Sequence, residues 1–194
     1  MTPVKYAALS LPGISRGRPM TMDERFAAIK LLILDVDGVL TDGQIFLNHK
    51  GEEIKSFSVR DGLGLKMLMA GGVETAIITG RRSSAVAHRG RELGITDVYQ
   101  GVGNKRDVCR QMIEKRGLVR EEVCCIGDDL PDLTMFGEVG LTVAVADAVQ
   151  EVRERADVIT TKKGGQGAVR ELCEWILKGQ GKWAKNDFTE QIHG

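Results

Sequence analysis

The sequence of 194 residues carries no excess of either charge: 27 lysine and arginine residues stand against 27 aspartate and glutamate, for a formal net charge of zero. A general nucleic-acid binder normally shows a net basic face, so no nucleic-acid partner is expected. Long apolar runs are missing too. Nothing approaches the ~18 residues of a membrane span, and the N-terminus lacks the apolar core of a secretory signal. The expectation is a cytoplasmic chain with no membrane partner. Cysteine is scarce and poorly spaced for chemistry: Cys109, Cys124, Cys125 and Cys173 fit neither a zinc site nor a disulfide framework. Adjacent cysteines in the apolar run VCCIG read as small core hydrophobes. Only four prolines occur, and three of them, Pro3, Pro12 and Pro19, fall within the first 22 residues. Residues 1–22 therefore read as a loosely held leader.

What is present is an alternation. Apolar runs at LLILDV from Leu31, GVETAIIT around Ala76, DVYQGV around Val98, VCCIGD from Val123, LTVAVA from Leu141 and DVIT at Val158 read as strands. Helical segments lie between and after them: Leu63 to Ala70, Ser84 to Leu93, Lys105 to Arg116, Leu130 to Glu138, Ala148 to Ala156 and Ala168 to Lys178, with a short entry helix from Met22. Continuous apolar strands separated by helices imply an α/β fold, a Rossmann-like doubly wound parallel sheet covered on both faces. In such sheets ligands collect at the carboxyl ends of the strands. The length suits one domain, placed at 23–180. Residues 44–59 interrupt the alternation as a β-hairpin around Asn48-His49-Lys50-Gly51. The polar stretch 181–194 reads as an unstructured tail.

The strand ends carry the chemistry. LLILDVDGVLTDG runs straight into Asp35 and Asp37, two like charges that need a cation or a shared proton between them. The second strand ends in Thr79-Gly80, Lys105 opens the helix after the third, and the fourth ends in Gly127-Asp128-Asp129 with Asp132 one turn on. Each has a bland explanation by itself. Aspartate is a favoured helix cap, a single lysine is usually a solvated surface group, and Thr-Gly is an ordinary turn. Four such coincidences at successive strand ends are a stronger pattern. Oxygen-only ligands suit a hard dication such as Mg²⁺. With it in place, one aspartate can stay ionised and act as a nucleophile, while Thr79 and Lys105 bind phosphoryl oxygens. Asp37 is placed to give a proton to the leaving oxygen and later take one from water.

These stretches, DVDGVLTDG, ITGR at Ile78 to Arg81, Lys105, and GDDLPD at Gly127 to Asp132, resemble the four motifs of the haloacid-dehalogenase-like phosphohydrolases, from about Leu31 to Gln180. Two further stretches, FSVRDGLG at Phe57 to Gly64 and GGQGAVRE at Gly164 to Glu171, resemble a capless, tetrameric branch of that superfamily. Its members release phosphate from 3-deoxy-D-manno-octulosonate 8-phosphate in lipopolysaccharide synthesis. The resemblance implies Asp35 as the phosphorylated nucleophile and a magnesium ligand. It implies Asp37 as general acid/base and, through its carbonyl, a metal ligand. Thr79 and Lys105 would be phosphoryl-binding groups and Asp128 the remaining protein ligand, with Asp132 in support. It also places contacts to a sugar-acid phosphate on Ser58, Val59, Arg60, Asp61, Gly62, Lys66, Arg81 and Arg89. Arginine suits such a substrate because it pairs with a carboxylate through two parallel hydrogen bonds.

With only residues 43–78 between the first two motifs, no cap domain fits. The resemblance implies a homotetramer whose hairpins join and whose neighbouring subunits close each site, with Ile45, Leu47, Ile54, Phe57 and Val59 as apolar contacts. Two other functions fit the same residues. One is a phosphatase of a nine-carbon sugar-acid 9-phosphate. The other, from a different class, is a receiver-type signalling domain phosphorylated on aspartate.

Overall fold

The computed structural model describes residues 18–183. Most of the expected leader and of the tail therefore lies outside the described residues. Six strands form one sheet: β1 (Leu31–Leu34), β4 (Glu74–Thr79), β5 (Asp97–Gln100), β6 (Val123–Gly127), β7 (Leu141–Ala144) and β8 (Val158–Ile159). Their order is β5-β4-β1-β6-β7-β8, and every pair is parallel. Successive residues of a strand face opposite sides of the sheet, and the core divides accordingly. Leu32, Leu34, Cys124 and Ile126 enter the larger cluster, with α2 (Val59–Ala70) and α7 (Ala168–Gly179). Leu31, Ile33, Val123 and Cys125 enter the smaller one with Cys109, Met112 and Ile113 of α4 (Lys105–Arg116). All four cysteines are free and buried. Burial holds the Cys109 thiol up at about 12, which leaves it a packing group.

Helix boundaries follow local capping. At α1 (Met22–Ala28), the side chain of Thr21 accepts from the Glu24 amide while Glu24 reaches back to the Thr21 amide, the reciprocal arrangement that fixes a helix start. The second helix begins four residues earlier than the apolar spacing suggests. Ser58 caps it by accepting from the Asp61 amide, so Val59 to Gly62 form a first turn rather than the end of a strand. The expected helix over Leu130 to Glu138 divides into a 3₁₀ turn, Leu130–Asp132, and a short α5 (Leu133–Phe136). Pro131 at its start and the Asp129 cap set that turn. The helices α3 (Ser84–Leu93) and α6 (Gln150–Arg155) complete the set.

The hairpin forms a separate two-stranded sheet, β2 (Phe46–Leu47) and β3 (Glu53–Ile54), antiparallel with Phe46 opposite Ile54. Asn48 organises its turn, its side-chain oxygen accepting from the amides of Lys50 and Glu52 at 2.9 and 3.0 Å. After α7 the chain stays attached as far as it is described. Gln180 donates to the Ile29 carbonyl and Lys182 to that of Gly71, and Trp183 packs against the main core beneath Arg170 and Lys178.

Candidate active site

The sheet order explains why residues far apart in sequence converge. Three neighbouring strands, β4, β1 and β6, deliver Thr79, Asp35 and Asp128 to one edge. That edge is the carboxyl end of a doubly wound sheet on both sides of its central strand, where such folds form their ligand crevice. Thr79 ends β4 and is buried. The position of Lys105 comes from α4, whose start is fixed by Asn104 accepting from the Arg106 amide.

Lys105 is buried at the centre of the cluster. Its Nζ lies 2.8 Å from Asp35 Oδ1 and 2.7 Å from Asp132 Oδ1. Asp132 spends its other oxygen on the backbone, accepting from the amides of Asp128 and Asp129 at 3.0 and 3.3 Å. It thereby fixes the loop that carries Asp128, and its own carboxylate is fully engaged. By contrast, Asp128 Oδ1 is buried with no hydrogen-bond partner.

The loop after β1 is shaped to bring these groups together. Gly38 has φ +87°, a conformation glycine adopts without a steric penalty. A Cβ there would fall 2.0 Å from Asp128 Oδ2. From the far side Gly164 backs the same loop so closely that a Cβ would sit 1.7 Å from the Gly38 carbonyl oxygen. This gives the GGQG stretch a packing reason: it lies directly behind the acids.

Electrostatics set the character of the pocket. Ligand atoms of Asp35, Asp128 and Asp132 lie within 4.8 Å of one another. Burial, reinforced by Asp132, raises Asp35 to about 6. Burial, with Asp132, Asp35 and Asp129, raises Asp128 to about 8. For Lys105, burial works against its charge, but Asp35 and Asp132 outweigh it and raise the pKa. Three carboxylates face one ammonium, which leaves two negative charges uncompensated when all are ionised. An all-oxygen donor set with that deficit, and with Asp128 Oδ1 orphaned, fits a hard divalent cation.

Asp37 lies beside this cluster and faces cations. Lys55 donates to its Oδ1, and Arg81 Nε is 3.8 Å from its Oδ2. Neither Lys55 nor its neighbour Glu53 stands out in the sequence, where both read as ordinary hairpin residues. Alternation along the strand puts Glu53 and Lys55 on the face opposite Ile54, and the structure shows that Ile54 is the one that faces out.

The residues expected around the sugar form a second set with contacts of their own. Ser58 caps α2, while Val59 is 83% exposed and Arg60 is exposed too. Asp61 has a structural contact besides the substrate role expected of it. Its side chain turns inward to accept from the amides of Gly167 and Arg170, at 3.3 and 2.7 Å, and so caps the start of α7. Gly62 makes room for Arg89, since a Cβ there would sit 2.2 Å from the guanidinium. Arg89 donates to the Ser58 carbonyl, pairs with Glu92 at 2.8 Å and lies over the Phe57 ring. Lys66 is half-buried on α2. Phe57 packs against the core, whereas Ile45, Leu47, Ile54 and Val59 are exposed.

A family model for haloacid dehalogenase-like hydrolases matches residues 91–172. The 3-deoxy-D-manno-octulosonate 8-phosphate phosphatase KdsC of Escherichia coli (strain K12) is 49% identical over 154 residues, 79% of this chain and 82% of the relative. The chain belongs to the haloacid dehalogenase-like hydrolases, in the 3-deoxy-D-manno-octulosonate 8-phosphate phosphatase family. Among solved structures, the phosphatase of that name from Moraxella catarrhalis, in complex with magnesium ion, phosphate ion and KDO, is 44% identical. It superposes with a TM-score of 0.82 over 88% of this chain and 97% of that one. A cobalt-bound phosphatase from Haemophilus influenzae is 40% identical, with a TM-score of 0.81 over 88% and 99%. Membership of this phosphatase family makes the protein a phosphomonoesterase and sets aside the receiver-domain reading.

Proposed function

We propose that this phosphatase hydrolyses 3-deoxy-D-manno-octulosonate 8-phosphate to the free sugar acid and phosphate, in the cytoplasm, as a step of lipopolysaccharide synthesis. The observation that carries the chemistry is the buried cluster of Asp35, Asp128 and Asp132 around one ammonium, with Asp128 Oδ1 unpartnered. The kinship with phosphatases of that substrate supports the choice of ester.

In this reading, one oxygen of Asp35 is held by Lys105 and the other attacks phosphorus. The P–O bond to the sugar breaks, and Asp37 gives its proton to the departing oxygen. Water, losing a proton to Asp37, then cleaves the aspartyl phosphate and restores Asp35. Thr79 and Lys105 hold the phosphoryl oxygens, whose charge must be neutralised for attack. Asp35, Asp128 and the Asp37 carbonyl would hold a magnesium ion, which supplies the positive charge that the phosphoryl group and the clustered acids lack.

Arg81 stands next to Asp37, within reach of the sugar end, and we assign it to the substrate carboxylate. We further propose a homotetramer in which Val59, Arg60 and Lys66 face a neighbour's pocket. Supporting this, Ile45, Phe46, Leu47 and Ile54 leave an apolar row exposed on a hairpin of two-residue strands, a unit marginal by itself in water. A phosphate-release screen over sugar phosphates tests the substrate. Preference for the eight-carbon 8-phosphate is the expected result. Preference for a nine-carbon 9-phosphate would transfer the same chemistry to that ester.

A further inference from the structure

The hairpin is tied to the active site by a closed ring of charges. Along β3 and the residue after it, Ile54 points outward, 56% exposed, while Glu53 and Lys55 point in. The Lys55 side chain is 1% exposed, an unusual place for an ammonium, which is costly to bury without partners. Its Nζ donates to Asp37 Oδ1 and lies 3.3 Å from Glu53 Oε1. Glu53 Oε1 in turn is 2.5 Å from Arg81 Nη2, and Arg81 Nε is 3.8 Å from Asp37 Oδ2. Signs alternate all the way round. Among the described residues nothing donates a hydrogen bond to Asp37 Oδ2.

We infer that Lys55 is a positioning residue for Asp37, an inference that rests on the phosphatase reading above. By taking Oδ1, Lys55 fixes the rotation of the Asp37 carboxylate and turns Oδ2 towards the departing oxygen. The hairpin then does more than present an apolar row to a neighbour: its inner face aims the catalytic acid. A hydrogen-bonded acid in the right orientation typically contributes 10²- to 10⁴-fold to rate, and a freely turning carboxyl forfeits part of that.

The test compares two esters in the full-length protein, read as kcat/KM, which reports events up to cleavage of the ester bond. One ester is a sugar phosphate, whose leaving oxygen needs a proton; the other is p-nitrophenyl phosphate, whose leaving group departs without one. Lys55→Met is expected to cost the sugar ester on the order of a hundredfold and the aryl ester only about threefold. Lys55→Arg should restore most of the loss, and Lys55→Met should add nothing further to Asp37→Asn. If Lys55→Met does not fold, Lys55→Gln, which keeps a donor for Asp37, should show a smaller loss with the same ester selectivity. Equal losses on both esters, no loss, or additivity with Asp37→Asn would overturn the role of Lys55 alone. A wild-type protein inert towards every sugar phosphate would overturn the phosphatase reading, and this inference with it.

Discussion

Lys105 and Asp35, seventy positions apart in sequence, meet at 2.8 Å in the interior. The same ammonium holds Asp132, so one cation organises the nucleophile and the acid that fixes the metal-side loop. Removing it leaves buried carboxylates without their counter-ion, which costs more than the pair itself contributes. Lys105→Met is therefore expected to lose about a hundredfold or more in kcat/KM and to melt at a lower temperature. Thermal unfolding beside steady-state kinetics checks both. Unchanged kinetics would remove Lys105 from the phosphoryl site.

Asp35 and Asp37 should fail in different ways. Asp35→Asn has no nucleophile and is expected to lose on the order of a thousandfold or more in turnover while keeping its fold. With p-nitrophenyl phosphate, whose leaving group departs without a proton, Asp37→Asn should accumulate covalent phosphate, because the intermediate still forms while water is no longer activated to cleave it. Rapid quenching with labelled substrate reads this directly, and a fast-turning Asp37→Asn without phosphoenzyme would exclude the acid/base role.

The raised acids carry a pH signature. In the metal-free fold Asp35 is held at about 6 and Asp128 at about 8, against an ordinary 3.8. Between the ordinary and the raised values the folded protein keeps protons that the unfolded chain has lost, so stability falls as pH rises. Carboxylates held low by arginine partners, such as Glu138 beside Arg110, have completed their contribution below this window. Metal-free protein should thus melt lower at about pH 8.5 than at about pH 5.5, and magnesium should close the gap. Differential scanning calorimetry decides; a metal-free protein more stable at the higher pH would contradict the assignment.

Asp61 distinguishes a structural contact from a substrate contact. Its carboxylate accepts two amides at the start of α7. Asp61→Ala should cost roughly 1–3 kcal/mol of stability, visible as a lower urea midpoint. A raised KM with an unchanged midpoint would instead return Asp61 to the sugar.

Much of this was legible in the sequence, for identifiable reasons. The apolar runs at Leu31, Ala76 and Val123 could only be buried parallel strands, and their last residues were therefore site residues. Sequence could not show which strands are neighbours, and only the order β4-β1-β6 brings Thr79, Asp35 and Asp128 to one crevice. Side-chain direction was the harder question. In VRDG the sequence offers Asp61 to a ligand but cannot show that its side chain also accepts amides at the start of α7, more than a hundred residues downstream. Lys55 drew no reading from the sequence, and only the structure, where the residue after β3 turns inward, places it against Asp37.

The central claim is that a bound dication balances the acids around Asp35 and permits it to attack phosphorus. Phosphate release from 3-deoxy-D-manno-octulosonate 8-phosphate should be followed in protein stripped by a chelator and then titrated with magnesium. The account predicts hydrolysis near background in the stripped protein and a saturable return as magnesium is added. Hydrolysis undiminished by the chelator would contradict it.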